Sequence, residues 1–133
     1  MNLVFADSFY FIALFNERDH AHLRASELAR RLRRPLITTA WILTELADAC
    51  AATPNRTTVA EFIEDAIKFP TFNIIPFSGE LFRRGLELYL KRPDKDWSLT
   101  DCISFVVMED EEIGDALTGD KHFEQAGFNA LLK

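Results

Sequence analysis

Leu3-Val4-Phe5-Ala6-Asp7-Ser8 is the stretch on which the fold turns. Four consecutive apolar residues, too few for a helix, read as a strand buried on both faces. Asp7-Ser8 comes next, where a strand hands over to a helix, and suits the N-cap of a helix through Phe9, Ile12, Ala13 and Phe15. The same design returns near the other end of the chain. Ile113 to Thr118 reads as a strand, and Asp120 follows it just ahead of a short helix, His122 to Ala126, ended by Gly127. If the two runs are neighbouring parallel strands, their C-terminal ends bring Asp7 and Asp120 together. That edge is where open α/β sheets bind ligands.

Working outward, apolar residues at Ala21, Ala25, Leu28, Ala29 and Leu32 mark one face of a helix from about His20 to Arg33, which Pro35 breaks. Leu36-Ile37-Thr38 reads as a short strand. The helix Trp41 to Ala51 carries Trp41, Ile42, Leu46, Ala49 and Cys50 inward, and Pro54-Asn55 separates it from a helix with Val59, Phe62, Ile63 and Ala66 spaced by three and four. Phe72 to Ile75 is a further strand, ended by Pro76. Ser78 caps a helix through Leu81, Phe82, Leu86, Leu88 and Leu90, and a polar loop from Arg92 to Trp97 leads to Ser98, cap of the helix holding Asp101, Ile103 and Phe105. Phe128 to Leu132 is a marginal last strand. Strands alternating with helices predict an α/β fold of three layers, a parallel sheet of four or five strands flanked by helices through right-handed crossovers. Without repeat or linker, residues 1–133 are expected to form a single domain.

At this length the chain can bury roughly two-thirds of its unfolded surface without disulfides or metal staples. Cys50 and Cys102 form no CxxC motif and read as small buried hydrophobes of a reducing cytosol, although sequence does not exclude a bond between them. Asp7 interrupts the one N-terminal apolar run, so neither a signal peptide nor a membrane span is expected. The net charge of −6 argues against indiscriminate nucleic-acid binding. The basic residues are nonetheless clustered: Arg24, Arg30, Arg31, Arg33 and Arg34 in one group, Arg83, Arg84, Lys91, Arg92 and Lys95 in another. Both groups also suit solvated helix faces.

The chemistry lies in four acids: Asp7, Glu45, Asp101 and Asp120. Each alone has a structural reading. Asp7 and Asp120 are N-cap candidates, Ser98-Leu99-Thr100-Asp101 fits a capping box, and Glu45 suits an amphipathic helix. Together they mean more. Three sit where strand ends or loops meet helix starts, and Glu45 lies one turn after Trp41, bordering the buried face. Each pair of carboxylates brought to about 4 Å costs roughly 4 kcal/mol at an effective dielectric near 20. A hard divalent cation such as Mg²⁺ or Mn²⁺ is the usual remedy.

Asp7-Ser8 after the first strand, Leu43-Thr44-Glu45-Leu46, Ser98-Leu99-Thr100-Asp101 and Thr118-Gly119-Asp120 resemble, in order and spacing, the four acids of PIN-domain nucleases. The resemblance covers nearly the whole chain, and by size the VapC-type toxins are the nearest subgroup. It implies the PIN fold and Mg²⁺- or Mn²⁺-dependent endonucleolytic cleavage of RNA in the cytoplasm. It also implies a homodimer and a small antitoxin partner that blocks the site. Asp7, Asp101 and Asp120 would bind metal, and Glu45 would bind metal or orient the attacking water. Thr118 would hydrogen-bond a ligand carboxylate or a water, and Asp96, in the polar loop, would be an auxiliary ligand or simply solvated.

Two other readings stay open beside this one. A catalytically silent PIN fold kept for protein binding would share the pattern. A signalling receiver domain would need a phosphoacceptor Asp after a central strand, and Phe72 to Phe77 has none. His20, His22 and His122 lack zinc spacing and read as surface or capping residues. Lys121-His122 could instead contact phosphate, and Trp97 could stack on a base or pack in the core. No phosphate loop or nucleophile elbow is present.

Overall fold

The computed structural model describes residues 2–133. Strand β1 (Val4–Ala6) is buried at every residue, as a continuous apolar run must be in a sheet covered on both faces. In chain order follow α1 (Ser8–Phe15), α2 (His22–Arg31), β2 (Leu36–Thr39), α3 (Ala40–Cys50), α4 (Arg56–Lys68), β3 (Asn73–Ile75), α5 (Gly79–Lys91), α6 (Leu99–Asp110), β4 (Asp115–Leu117), α7 (Lys121–Gln125) and β5 (Asn129–Ala130). All five strands are parallel, in the order β3-β2-β1-β4-β5. The fold is therefore the parallel α/β sheet that the alternating pattern predicts, with five strands.

The strand order positions the site. From β1 the chain builds sideways through β2 to β3, then returns by way of α5 and α6 to lay β4 on the opposite side of β1. Connections leave β1 and β4 in opposite directions, which opens a crevice at their C-terminal ends. The register Phe5↔Ala116 and Ala6↔Leu117 sets Asp7 beside Thr118.

Element ends differ from expectation for local reasons. Helix α2 starts at His22 because Asp19 Oδ1 accepts the Ala21 amide at 2.8 Å and makes a turn of the preceding residues. It stops at Arg31, with Leu32 already extended. Ala29 and Ala49, expected inward, are exposed. Strand β4 is shorter than Ile113 to Thr118 because Ile113 still belongs to the end of α6. Its amide reaches back to Met108 O at 2.8 Å, while the Glu112 amide bonds Glu109 O at 3.2 Å and Glu112 adopts φ 55°. This is a Schellman ending with a non-glycine in the left-handed position. Helix α7 ends the same way on Gly127, at φ 97°. A left-handed non-glycine costs roughly 1–2 kcal/mol. Glu112→Gly is accordingly expected to raise unfolding free energy by about 1 kcal/mol, and Gly127→Ala to lower it by a similar amount; denaturant titration reads both, and a loss in Glu112→Gly would refute the account.

The core is aromatic at both ends. Phe11 packs on Phe62 and Phe72, and Phe105 on Trp97 and Phe123. Cys50 and Cys102 are buried and unpaired. Arg84 and Arg92 each fork onto an aspartate, Asp110 and Asp94, so part of the second basic group is neutralised within the chain. Among the described residues no helix is long and apolar enough to cross a membrane.

Candidate active site

Asp7 occupies the N-cap position of α1 but makes no side-chain cap bond. Its carboxylate turns instead towards β4, where Thr118 Oγ1 donates to Oδ2 at 2.8 Å. Thr118 is wholly buried, and its oxygen also accepts the Asp120 amide at 3.0 Å. One threonine thereby ties the ends of β1 and β4 together. Asp120 caps α7, with Oδ1 taking the His122 amide at 2.9 Å. Asp101 completes the capping box on α6: its Oδ2 accepts the Ser98 amide at 3.1 Å while Ser98 Oγ accepts the Asp101 amide at 2.9 Å. From α3, Glu45 Oε1 accepts the Ser8 hydroxyl at 2.9 Å.

The structural and functional readings of these acids are not rivals, because they use different oxygens. The protein's donors fall on Oε1 of Glu45, Oδ2 of Asp101 and Oδ1 of Asp120. Among the described residues nothing donates to the second oxygen of any of the three. Each carboxylate is held by one oxygen and offers the other.

All four acids line one open cleft of about 360 Å³, together with Asp96, Ser98 and His122. Among the described residues no lysine or arginine lines it. Burial, above all, pushes the Asp7 carboxyl up to about 7; the Thr118 hydrogen bond opposes the rise, and the charges of Asp101 and Glu45 add to it. Burial likewise raises Glu45, against its Ser8 bond, and Asp101 and Asp120 push the same way. Asp7 is only 4% exposed, so little water screens its charge.

His122 is the residue that sequence reasoning passed over. Read as a surface or capping side chain, it is half-buried, with Nδ1 2.9 Å from Asp101 Oδ2 and 3.5 Å from Asp120 Oδ1. An ionised carboxylate only accepts, so Nδ1 carries a proton in that bond. One ligand atom each from Asp101, Asp120 and His122 lie within 4.8 Å of one another. Among the described residues this is the one trio so closely gathered, and Asp7 and Glu45 stand around it. The signal was present in Asp120-Lys121-His122: a residue in the first turn of α7 necessarily shares the edge that its N-cap occupies. His22 is elsewhere, bonded to Ala13 O, and His20 is exposed. Trp97 is core, 6% exposed, with Nε1 donating to Gln125.

Clustered carboxylates, one of them buried, with a single imidazole as their one basic neighbour among the described residues, suit a divalent cation. The model of one protein family, described as the PIN domain, matches residues 4–129. The chain belongs to the PIN domain family. Solved PIN-like folds superpose over almost its whole length. Mycobacterium tuberculosis VapC20, described as a sarcin–ricin loop cleaving toxin, matches with a TM-score of 0.85 and 22% identity, covering 94% of this chain and 95% of that one. VapBC2 from Rickettsia felis, bound to a DNA fragment from its promoter, matches at 0.65 and 13% identity over 96% of each chain. FitAcB from Neisseria gonorrhoeae matches at 0.65 and 16% identity, over 96% of this chain and 94% of that one. No curated protein matches the chain.

Proposed function

We propose that residues 1–133 act as a single PIN domain with divalent-cation-dependent endoribonuclease activity, the toxin of a toxin–antitoxin pair in the cytoplasm. One observation carries the reading: four carboxylates from four separate elements line one cleft that, among the described residues, contains no lysine or arginine. Keeping them together costs stability unless a cation is bound, so their convergence, beyond the helix caps that two of them form, serves a ligand. RNA as substrate draws support from the likeness to a toxin named for cleaving the sarcin–ricin loop. A small antitoxin is supported by the likeness to VapBC2 and FitAcB. A homodimer is supported by exposed apolar side chains at Phe77, Phe82 and Leu86.

In this reading Asp7, Asp101 and Asp120 hold the cation, with His122 steadying Asp101 or joining it as a ligand. A bound Mg²⁺ or Mn²⁺ supplies positive charge at the phosphoryl oxygens and acidifies water. Glu45, fixed through Oε1 by Ser8, directs its other oxygen at the attacking water and accepts its proton. Thr118 orients Asp7 from behind. Asp96 is an exposed acid on the cleft wall.

The test is cleavage of a structured RNA by the purified protein with Mn²⁺ and with EDTA. Wild type should cut only with the cation, and Asp101→Asn combined with Asp120→Asn should lose more than about 100-fold, since disturbing even residues behind a metal ligand costs 10–100-fold. Cleavage that persists in EDTA, or in the double variant, overturns the proposal. A silent PIN fold used for protein binding would cut under neither condition.

A further inference from the structure

We propose that the recess bounded by Tyr89, Arg92, Lys95 and Asp96 binds a nucleotide of single-stranded RNA next to the bond that is cut. This rests on the ribonuclease reading of the neighbouring cleft. The recess, about 470 Å³, lies between the end of α5 and the loop into α6, and it shares Asp96 with the acidic cleft. A cavity of that size is within the range for small ligands.

The acidic cleft creates a need that it does not meet itself. Phosphodiester backbones are bound through cations, the chain carries a net charge of −6, and among the described residues no lysine or arginine lines the cleft. The adjoining recess supplies what is missing. Arg92 is locked there, forked onto Asp94 by two bonds of 2.9 Å and lying 5.1 Å over the Trp97 ring. Its donors on Nε and one terminal nitrogen already face Asp94. Lys95 is half-buried and forms no ion pair among the described residues, so its ammonium is the available cation. The turn that carries it is closed by the Lys95 amide on Arg92 O at 3.1 Å.

The same recess offers a stacking face. Trp97 is committed to the core, but Tyr89 is 47% exposed on the recess wall. An aromatic face on the same recess as a lysine without an ion pair among the described residues matches a base and its phosphate, the combination that single-strand binders use. On the shared wall, the Asp96 carboxylate is an acceptor for a ribose 2′-hydroxyl or a base amino group.

Binding of a short fluorescent oligoribonucleotide in EDTA, and cleavage kinetics with Mn²⁺, test the proposal on Lys95→Ala, Tyr89→Ala, Tyr89→Phe and, as a remote control, Lys68→Ala. Tyr89→Ala should raise Kd and KM at least about fivefold, from loss of a stacked base, with kcat unchanged, and Tyr89→Phe should restore both. Lys95→Ala should raise Kd and reduce the slope of log K against log salt by about 0.7, one phosphate contact to a single strand. Lys68→Ala should match wild type. Unchanged Kd and KM in Lys95→Ala and Tyr89→Ala, or an equal loss in Lys68→Ala, overturns the proposal. A wild type that binds RNA in EDTA through Lys95 and Tyr89 but cuts nothing with Mn²⁺ keeps the recess and defeats the ribonuclease reading instead.

Discussion

Asp7→Asn is expected to make the metal-free protein more stable and to abolish RNA cleavage. The folded structure raises the Asp7 carboxyl from 3.8 to about 7, chiefly by burial. A carboxyl raised in the folded state binds its proton more tightly there than in the unfolded chain. Its contribution therefore favours the folded state as pH falls and is lost as pH rises from about 4 through 7. Above that window the ionised group penalises folding by roughly 4 kcal/mol. Asparagine removes the charge and can still accept the Thr118 hydroxyl.

The gain should thus be near zero around pH 4 and reach a few kcal/mol at pH 8 in EDTA, seen as a rise in Tm. Adding Mn²⁺ should stabilise wild type more than the variant, because the cation binds only a folded site with its ligands in place. Cleavage should fall by more than about 100-fold, for the reason given for Asp101 and Asp120. A variant that melts lower than wild type at pH 8 in EDTA would refute the electrostatic account, and retained cleavage would remove Asp7 from the site.

Gly85→Val should be strongly destabilising. Gly85 is where α5 lies on α6: a Cβ there would stand 2.4 Å from Ile103 Cγ1 and 3.3 Å from the Ile103 backbone. Ile103 is itself 1% exposed and β-branched, so it has no room to turn away. Overpacking of this kind costs about 1–3 kcal/mol. Valine adds two methyl groups to the clash, so the upper end is expected. Gly85→Ala recovers up to about 1 kcal/mol of helix propensity and should lose less. Combining Gly85→Val with Ile103→Ala should cost at least about 1 kcal/mol less than the sum of the single changes, the coupling expected of residues in contact. Strict additivity in denaturant titrations would show that the contact is not the cause.

Much of this was legible from local pattern. Val4 to Ala6, Ser78, Ser98 and Gly127 announce a buried strand, two helix caps and a helix end, because strand burial, capping and left-handed glycine depend on near neighbours alone. The alternation of short apolar runs with amphipathic stretches likewise implied a parallel sheet, and the placing of Asp7, Asp101 and Asp120 where strand ends or loops meet helix starts implied a shared edge. Boundaries were less legible where a distant or irregular bond decided them, as at Glu112 and Ile113.

What the sequence by itself determined is on which ends of which elements the four acids stand. Only the tertiary structure decided how their oxygens are shared out. It drew Asp7 away from the cap of its own helix to Thr118, 111 residues on, and joined His122 to Asp101. It also paired Arg92 with Asp94 and gave Lys95 no ion pair among the described residues. The reason is range: capping and periodicity act over one or two helical turns, whereas a carboxylate's partner and burial depend on strand order, which sets which chain ends meet.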